Sequence, residues 1–157
     1  MPVNPWIANS SVDSCAFDPK YGPEDKAANE IFRLHKEEGL IIQIAHSTQK
    51  EVDHPNTPDW VKRAAAGMIY TLQVDLKQDE RTRFRRIHAI LTGQGRPENM
   101  EEDARHIFEA QKYGLYFITT DRRLLKRAKE IGALCGLEIL LPSQFLELVR
   151  SHKRPTR

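Results

Sequence analysis

The last third of the chain alternates short apolar runs with amphipathic stretches, and this alternation limits the possible folds more than any other feature. The apolar runs at 115–119 and 137–141 have the length of buried strands and are too short for helices. The stretches at 98–113, 121–135 and 143–149 repeat apolar residues at helical spacing, and a glycine follows each of the first two. Strands that alternate with helices in this way form crossover units, which predicts a mostly parallel sheet.

The first part of the chain continues the alternation, and the whole pattern predicts one fold class. That class is an α/β single-domain sandwich over 1–157, with a mostly parallel central sheet flanked by helices. Its core is expected at about 6–148, before a short basic tail at 150–157. Ser47 and Ser143 are predicted helix N-caps. The predicted elements of this part are strands at 6–12 and 40–45, helices at 23–38, around Glu51, at 56–67 and at 81–91, and an ambiguous stretch at 68–76.

Composition excludes several classes of protein. Hydrophobic residues make up 39% and charged residues 29% of the chain, which is typical of a globular domain. No apolar run approaches the roughly 20 residues that span a bilayer, and the start lacks the basic-then-apolar pattern of a secretory signal. Two cysteines, Cys15 and Cys135, make no disulfide framework. We therefore expect a soluble cytoplasmic protein that does not associate with membranes.

The net charge of +2 conceals an uneven distribution of basic residues. Seven of the 24 Lys and Arg residues lie before Lys77 and 17 lie from it onward. On charge alone, solvated helix faces are the favoured interpretation, and a surface that binds a phosphate backbone is the alternative. The arginines concerned are Arg81, Arg83, Arg85 and Arg86 in one cluster, and Arg122 and Arg123 in the other.

Four acidic residues from separate regions stand near the ends of predicted elements. Asp13 closes the first strand, and Asp121 follows the strand at 115–119. Glu51 lies within two helical turns of the second strand, and Asp103 lies early in a helix. In parallel sheets the carboxyl ends of strands share one edge, so these acids can converge and bind a hard divalent cation. Each also has a local interpretation, such as an N-cap for Asp121 or a favourable interaction with the helix dipole for Asp103.

Several of these segments together resemble the PIN domain family of ribonucleases. In that family an Asp-Ala pair begins a helix that ends at a glycine, followed by a hydrophobic strand and Thr-x-Asp. Residues 102–110 and 113–121 follow this pattern, with Asp103 and Asp121 as its acids. Residues 12–14 and 47–52 resemble the segments that carry the first and second acids. The resemblance covers about 6–148.

The resemblance implies a divalent-metal-dependent endoribonuclease that uses Mg²⁺ or Mn²⁺ and acts on RNA. It further implies a toxin of a type II toxin–antitoxin pair as one role, with a cognate antitoxin and a homodimer as expected partners. The arginines of both clusters would then contact RNA. The residues that the resemblance assigns are the catalytic, metal-binding acids Asp13, Glu51, Asp103 and Asp121, and the pocket-ordering hydroxyls Ser14 and Thr119.

The sequence also allows other assignments of the site residues and of the function. The family often has Asn where this chain has Cys15, and Glu102 or Asp18 are substitutes for an assigned acid should the register differ. A non-catalytic PIN-like module that binds RNA or a protein is the second function considered. A receiver-like signalling domain also has an acidic Mg²⁺ pocket, but it needs a Lys at a later strand end, and the sequence has none there.

Overall fold

A computed structural model describes residues 2–17, 22–66, 68–70 and 76–156 of the chain. Within these ranges five parallel strands form one sheet in the order β3-β2-β1-β4-β5. The predicted α/β class with a parallel central sheet flanked by helices is confirmed. The strands are β1 (Ser10–Val12), β2 (Ile42–Ile44), β3 (Ile69–Tyr70), β4 (Tyr116–Ile118) and β5 (Glu138–Leu140).

Helices connect successive strands, as parallel pairing requires. In the described part of the chain they are α1 (Glu24–Glu38), α2 (His46–Val52), α3 (Asp59–Ala66), α4 (Gln78–Thr92), α5 (Glu101–Tyr113), α6 (Arg122–Leu125), α7 (Ala128–Cys135) and α8 (Pro142–Ser151). Short 3₁₀ turns cover Ser14–Ala16 and Pro97–Met100. None of the described helices has the length and apolar character needed to cross a membrane.

Two apolar layers cover the two faces of the sheet. Tyr116 and Ile118 of β4 belong to one layer and Phe117 to the other, because successive strand residues point to opposite faces. The first layer lies under α1 and α8, and the second under α4, α5 and α7. All residues of the three central strands are buried, which explains why β1 and β4 are continuous runs of small or apolar residues. The buried Gln43 of β2 is the exception, and its amide donates to the carbonyl of Tyr113 at 3.2 Å.

Some predicted boundaries were wrong, for local reasons. The first strand starts at Ser10 rather than Trp6, because a turn closed by the Ile7 N–H to Asn4 C=O bond (3.1 Å) precedes it. Ser47 and Ser143 lie inside α2 and α8 rather than capping them. Both hydroxyls bond buried glutamates on other helices instead.

The helix predicted over 121–135 is interrupted. The N–H of Arg127 bonds the carbonyl of Leu124 at 3.0 Å, a three-residue spacing that ends the α-helical ladder of α6 before α7 begins. The predicted stop of α1 is confirmed, since Gly39 adopts the left-handed conformation there at φ 81°. In the ambiguous stretch β3 occupies 69–70, while 71–75 lie outside the described residues.

Gly114 lets the chain pass close to the start of β1, and replacing it with alanine should destabilise the fold. A Cβ on residue 114 would lie 2.5 Å from the carbonyl oxygen of Asn9, a backbone atom that cannot move aside cheaply. We expect Gly114→Ala to lower the free energy of unfolding by about 1–3 kcal/mol, measured by urea denaturation. Gly132→Ala in α7 is the control, since its Cβ would meet ordinary contacts at 3.4 Å. That variant should gain up to about 1 kcal/mol from helix propensity. Equal stability of the Gly114→Ala protein and the parent would contradict the close-approach explanation.

Candidate metal centre

Asp13 lies at the carboxyl end of the central strand β1, where its carboxylate is almost fully buried. The side chain is 5% exposed. One carboxylate oxygen accepts a hydrogen bond from the Ser14 N–H (2.9 Å) and the other from the Thr119 hydroxyl (2.8 Å). The N–H of Asp13 bonds the carbonyl of Ile118, which ties the ends of β1 and β4 together. The carboxylate is therefore oriented by backbone and hydroxyl donors from two strand ends.

Glu51 reaches the same point from α2. Its Oε2 accepts a hydrogen bond from the Ser14 hydroxyl, and its Oε1 lies 3.0 Å from Nε2 of His106 on α5. His106 was not among the site residues predicted from the sequence. A usable signal was present, since His106 follows Asp103 by three residues, and residues three apart share a helix face.

Asp13, Glu51 and His106 form a group that can hold a metal ion. Each offers one ligand atom, and these atoms all lie within 4.8 Å of one another. Asp13 and His106 are buried, and the Glu51 side chain is 37% exposed, which leaves the group accessible from one side. A buried carboxylate, a partly exposed carboxylate and a buried histidine that converge from three separate elements meet the basic requirement for a metal centre.

Asp103 and Asp121 lie beside this group and share an arginine. Arg123 is 3.0 Å from Oδ2 of Asp121 and 3.5 Å from Oδ2 of Asp103. The N-cap interpretation of Asp121 is also correct, since its carboxylate accepts from the Arg123 N–H at 2.9 Å. The Asp121 N–H donates to Thr119 Oγ1 at 3.0 Å, and that hydroxyl donates in turn to Asp13. Thr119 thus connects Asp121 to Asp13.

The four predicted acids interact electrostatically, and their pKa values separate into two pairs. Burial raises the pKa of Asp13, against the opposing effect of His106. Burial likewise raises the pKa of Asp103 to about 6, with Asp121 and Asp13 adding repulsion. The hydrogen bond from His106 lowers the pKa of Glu51. Burial acts to raise the pKa of Asp121, but hydrogen bonds from Arg123 outweigh it and leave the pKa lowered.

His106 itself responds to these acids. Burial acts to lower its pKa, but the hydrogen bond to Glu51 and the negative charge of Asp13 outweigh that effect, so the pKa is raised. Elevated and depressed pKa values within one cluster are characteristic of functional sites.

Cys15 occupies the position at which PIN ribonucleases often have Asn. Its Sγ lies 3.4 Å from Oδ2 of Asp13 and 3.3 Å from Oγ1 of Thr119. Burial, with the nearby charge of Asp13, raises the pKa of the thiol to about 11. The sulfur therefore stays protonated at neutral pH and donates a weak hydrogen bond to Asp13.

The remaining predicted residues that lie within the described ranges are exposed. Glu102 is exposed, and its neighbour Asp103 is the acid that interacts with the cluster. Asp18 lies outside the described residues. Arg83 donates to Gln111 on α5 at 3.2 Å. The other arginines of the two clusters, apart from the paired Arg123, have exposed side chains: Arg81, Arg85, Arg86 and Arg122.

No protein-family model matches the chain, and no curated protein matches it significantly. The class of molecule established is an α/β domain with a parallel sheet and a buried Asp-Glu-His group that can hold a metal ion.

The raised pKa of Asp103 predicts that Asp103→Asn stabilises the protein at neutral pH when divalent cations are removed by EDTA. A carboxyl whose folded pKa exceeds its unfolded value favours folding most at low pH, and this advantage is lost as pH rises through the folded pKa. Between pH 4 and pH 7 the variant should therefore gain about 1 kcal/mol relative to the parent. Thermal unfolding at both pH values measures this difference.

Asp121→Asn is the matched control for that experiment, because the pKa of Asp121 is lowered. Its charged form stabilises the fold above pH ~4 and this contribution is lost on acidification. The two variants should thus change stability in opposite directions at pH 7. A shift of the same sign in both would show that the charge environment of Asp103 is misassigned.

Proposed function

We propose that the protein is a divalent-metal-dependent endoribonuclease of the PIN type. The observation that carries this proposal is the meeting of four acids from separate elements at the carboxyl edge of the sheet. Asp13 follows β1, Asp121 follows β4, Glu51 comes from α2 and Asp103 from α5. The order and spacing of these acids also support the resemblance to PIN ribonucleases.

The charge balance of this cluster supports a divalent cation as its partner. Within the described ranges, the ion pairs to the four acids come from His106 and Arg123. Four ionised carboxylates against two cations leave a net charge of −2. Excess negative charge in a largely buried site is unfavourable unless it is compensated. One divalent ion carries the compensating charge.

The ligand atoms favour Mg²⁺ or Mn²⁺ over softer metals. Carboxylate oxygens dominate the set, with hydroxyl groups from Ser14 and Thr119 orienting them. Hard cations prefer oxygen ligands, and Mg²⁺ binds through a few carboxylates while it retains water. Bound there, such an ion would neutralise charge on the phosphodiester and activate water for attack. In this proposal the acids hold the ion and do not attack the substrate themselves.

RNA is the proposed substrate, since PIN ribonucleases act on it and the chain has basic residues to hold a phosphate backbone. Arg81 and Arg85 are both exposed and stand one helical turn apart on α4, followed by exposed Arg86. Exposed Arg122 begins α6 directly after Asp121. Such arginines attract phosphates without reading sequence.

A second candidate function is a non-catalytic module that binds RNA or a protein. Arg123 favours it, because this side chain already neutralises part of the charge on Asp103 and Asp121. RNA binding without metal-dependent turnover would support this alternative. Within the nuclease proposal, a toxin role with a cognate antitoxin is a further step, and growth arrest on expression of the active chain alone would test it.

Asp121→Asn should abolish most metal-dependent RNA cleavage while preserving the fold, since asparagine is an equally good N-cap. We expect activity on a fluorescent single-stranded RNA with Mn²⁺ to fall on the order of 10³-fold, the scale of losing one charge-stabilising group. Glu102→Gln is the control, an exposed acid outside the cluster, and should retain full activity. Undiminished cleavage by highly purified Asp121→Asn protein would refute the assignment.

Joint replacement of Arg81, Arg83, Arg85 and Arg86 with alanine should weaken RNA binding and leave Mn²⁺ binding intact. Each lost phosphate contact should reduce the slope of log affinity against log salt by about 0.7. Fluorescence anisotropy over a salt series measures that slope. Alanine at Lys26 and Lys36 of α1, on the other side of the sheet, is the matched control. An unchanged slope in the arginine variant would exclude this helix as the RNA-binding surface.

A further inference from the structure

His106 lies in a continuous hydrogen-bonded chain between two carboxylates. On one side its Nε2 is 3.0 Å from Oε1 of Glu51. On the other side its Nδ1 is 2.6 Å from the hydroxyl of Ser47. That hydroxyl is also 2.9 Å from Oε2 of Glu109, which is buried and accepts the Ser47 N–H as well. The imidazole itself is 1% exposed.

Counting donors and acceptors along this chain fixes the direction of its hydrogen bonds. Glu109, when ionised, can only accept, so the single hydroxyl proton of Ser47 is used toward it. The hydroxyl oxygen then accepts from Nδ1–H of His106, and Nε2–H donates to Glu51. With this assignment both ring nitrogens of His106 are engaged, and neither has a lone pair directed at the gap between Asp13 and Glu51.

We propose that His106 positions Glu51 for metal binding and does not itself ligate the metal. This inference rests on the proposed metal-dependent function and deepens it. Ser14 holds one oxygen of Glu51 and His106 holds the other, so the carboxylate has a fixed orientation although its side chain is 37% exposed. Ser47 and Glu109 form the support behind the imidazole. Outer groups of this kind commonly change metal affinity by about 10–100-fold when they are removed.

Mn²⁺ titration of three variants separates a positioning residue from a ligand. His106→Ala should weaken Mn²⁺ binding by about 10–100-fold. His106→Gln should restore most of the affinity, because its amide NH₂ can replace Nε2–H as the donor to Glu51 but supplies no nitrogen ligand. Ser47→Ala should cause an intermediate loss. The control is His35→Ala, a histidine at the end of α1 that bonds Leu40 and lies outside the cluster; its affinity should equal that of the parent. Equal losses in His106→Gln and His106→Ala would overturn the inference.

Pulsed electron paramagnetic resonance of bound Mn²⁺ gives an independent readout that a merely structural role would not move. The parent protein should show no nitrogen coordinated directly to the ion, and its preference for Zn²⁺ over Mn²⁺ should be weaker than that of a site with a histidine ligand. Directly coordinated nitrogen that disappears in His106→Ala would overturn this inference and leave the nuclease proposal standing. Absence of Mn²⁺ binding in the parent would overturn both.

Discussion

Negative charge crowded at the carboxyl edge of the sheet is the constraint on which the rest of the site depends. Parallel strands all end at the same edge, so Asp13 after β1 and Asp121 after β4 are brought together by the topology itself. Strands β1 and β4 have only three residues each. The hydrogen bond from the Asp13 N–H to the Ile118 carbonyl holds their carboxyl ends together. The negative charge of these acids acts on the neighbouring cationic groups and raises the pKa values of His106 and Arg123.

Helix α5 supplies three of the charged or titratable side chains at this edge. Asp103, His106 and Glu109 follow one another at three-residue intervals on one face of the helix. The helix therefore places an acid, a base and a second acid in succession along the edge. Ile107 and Phe108 of the same helix are buried in the apolar layer, so packing of the core fixes where the polar face lies. One element thus serves both the core and the site.

The charge of the four acids is only partly compensated by cations of the protein itself. His106 and Arg123 offset part of the charge, which lets the protein fold with four clustered acids. The pKa values of Asp13 and Asp103 are nevertheless raised, chiefly by burial and to a smaller extent by repulsion from neighbouring acids. Functional sites commonly retain such unfavourable arrangements because the chemistry requires them. A metal ion held by the Asp13, Glu51 and His106 group would offset the same negative charge as His106 and Arg123.

The fold and the acids were accessible from sequence because both depend on local pattern. A short apolar run that follows a glycine, such as 115–119 after Gly114, favours a buried strand, and acids that follow such strands are expected at the sheet edge. Boundaries were less predictable. Ser47 has the residue type of an N-cap, yet its hydroxyl bonds His106 and Glu109, which lie 59 and 62 residues away in the chain. No short sequence window contains that contact.

The sequence by itself determined the α/β class and the uneven distribution of basic residues, and it indicated which acids could converge at one edge. The tertiary structure alone decided that His106 bonds Glu51, that Arg123 bridges Asp103 and Asp121, and that Cys15 contacts Thr119. The physical reason is the range of the interactions. Periodicity is written into neighbouring residues, whereas hydrogen bonds and ion pairs depend on distances of a few ångströms between segments that meet only when the core has packed.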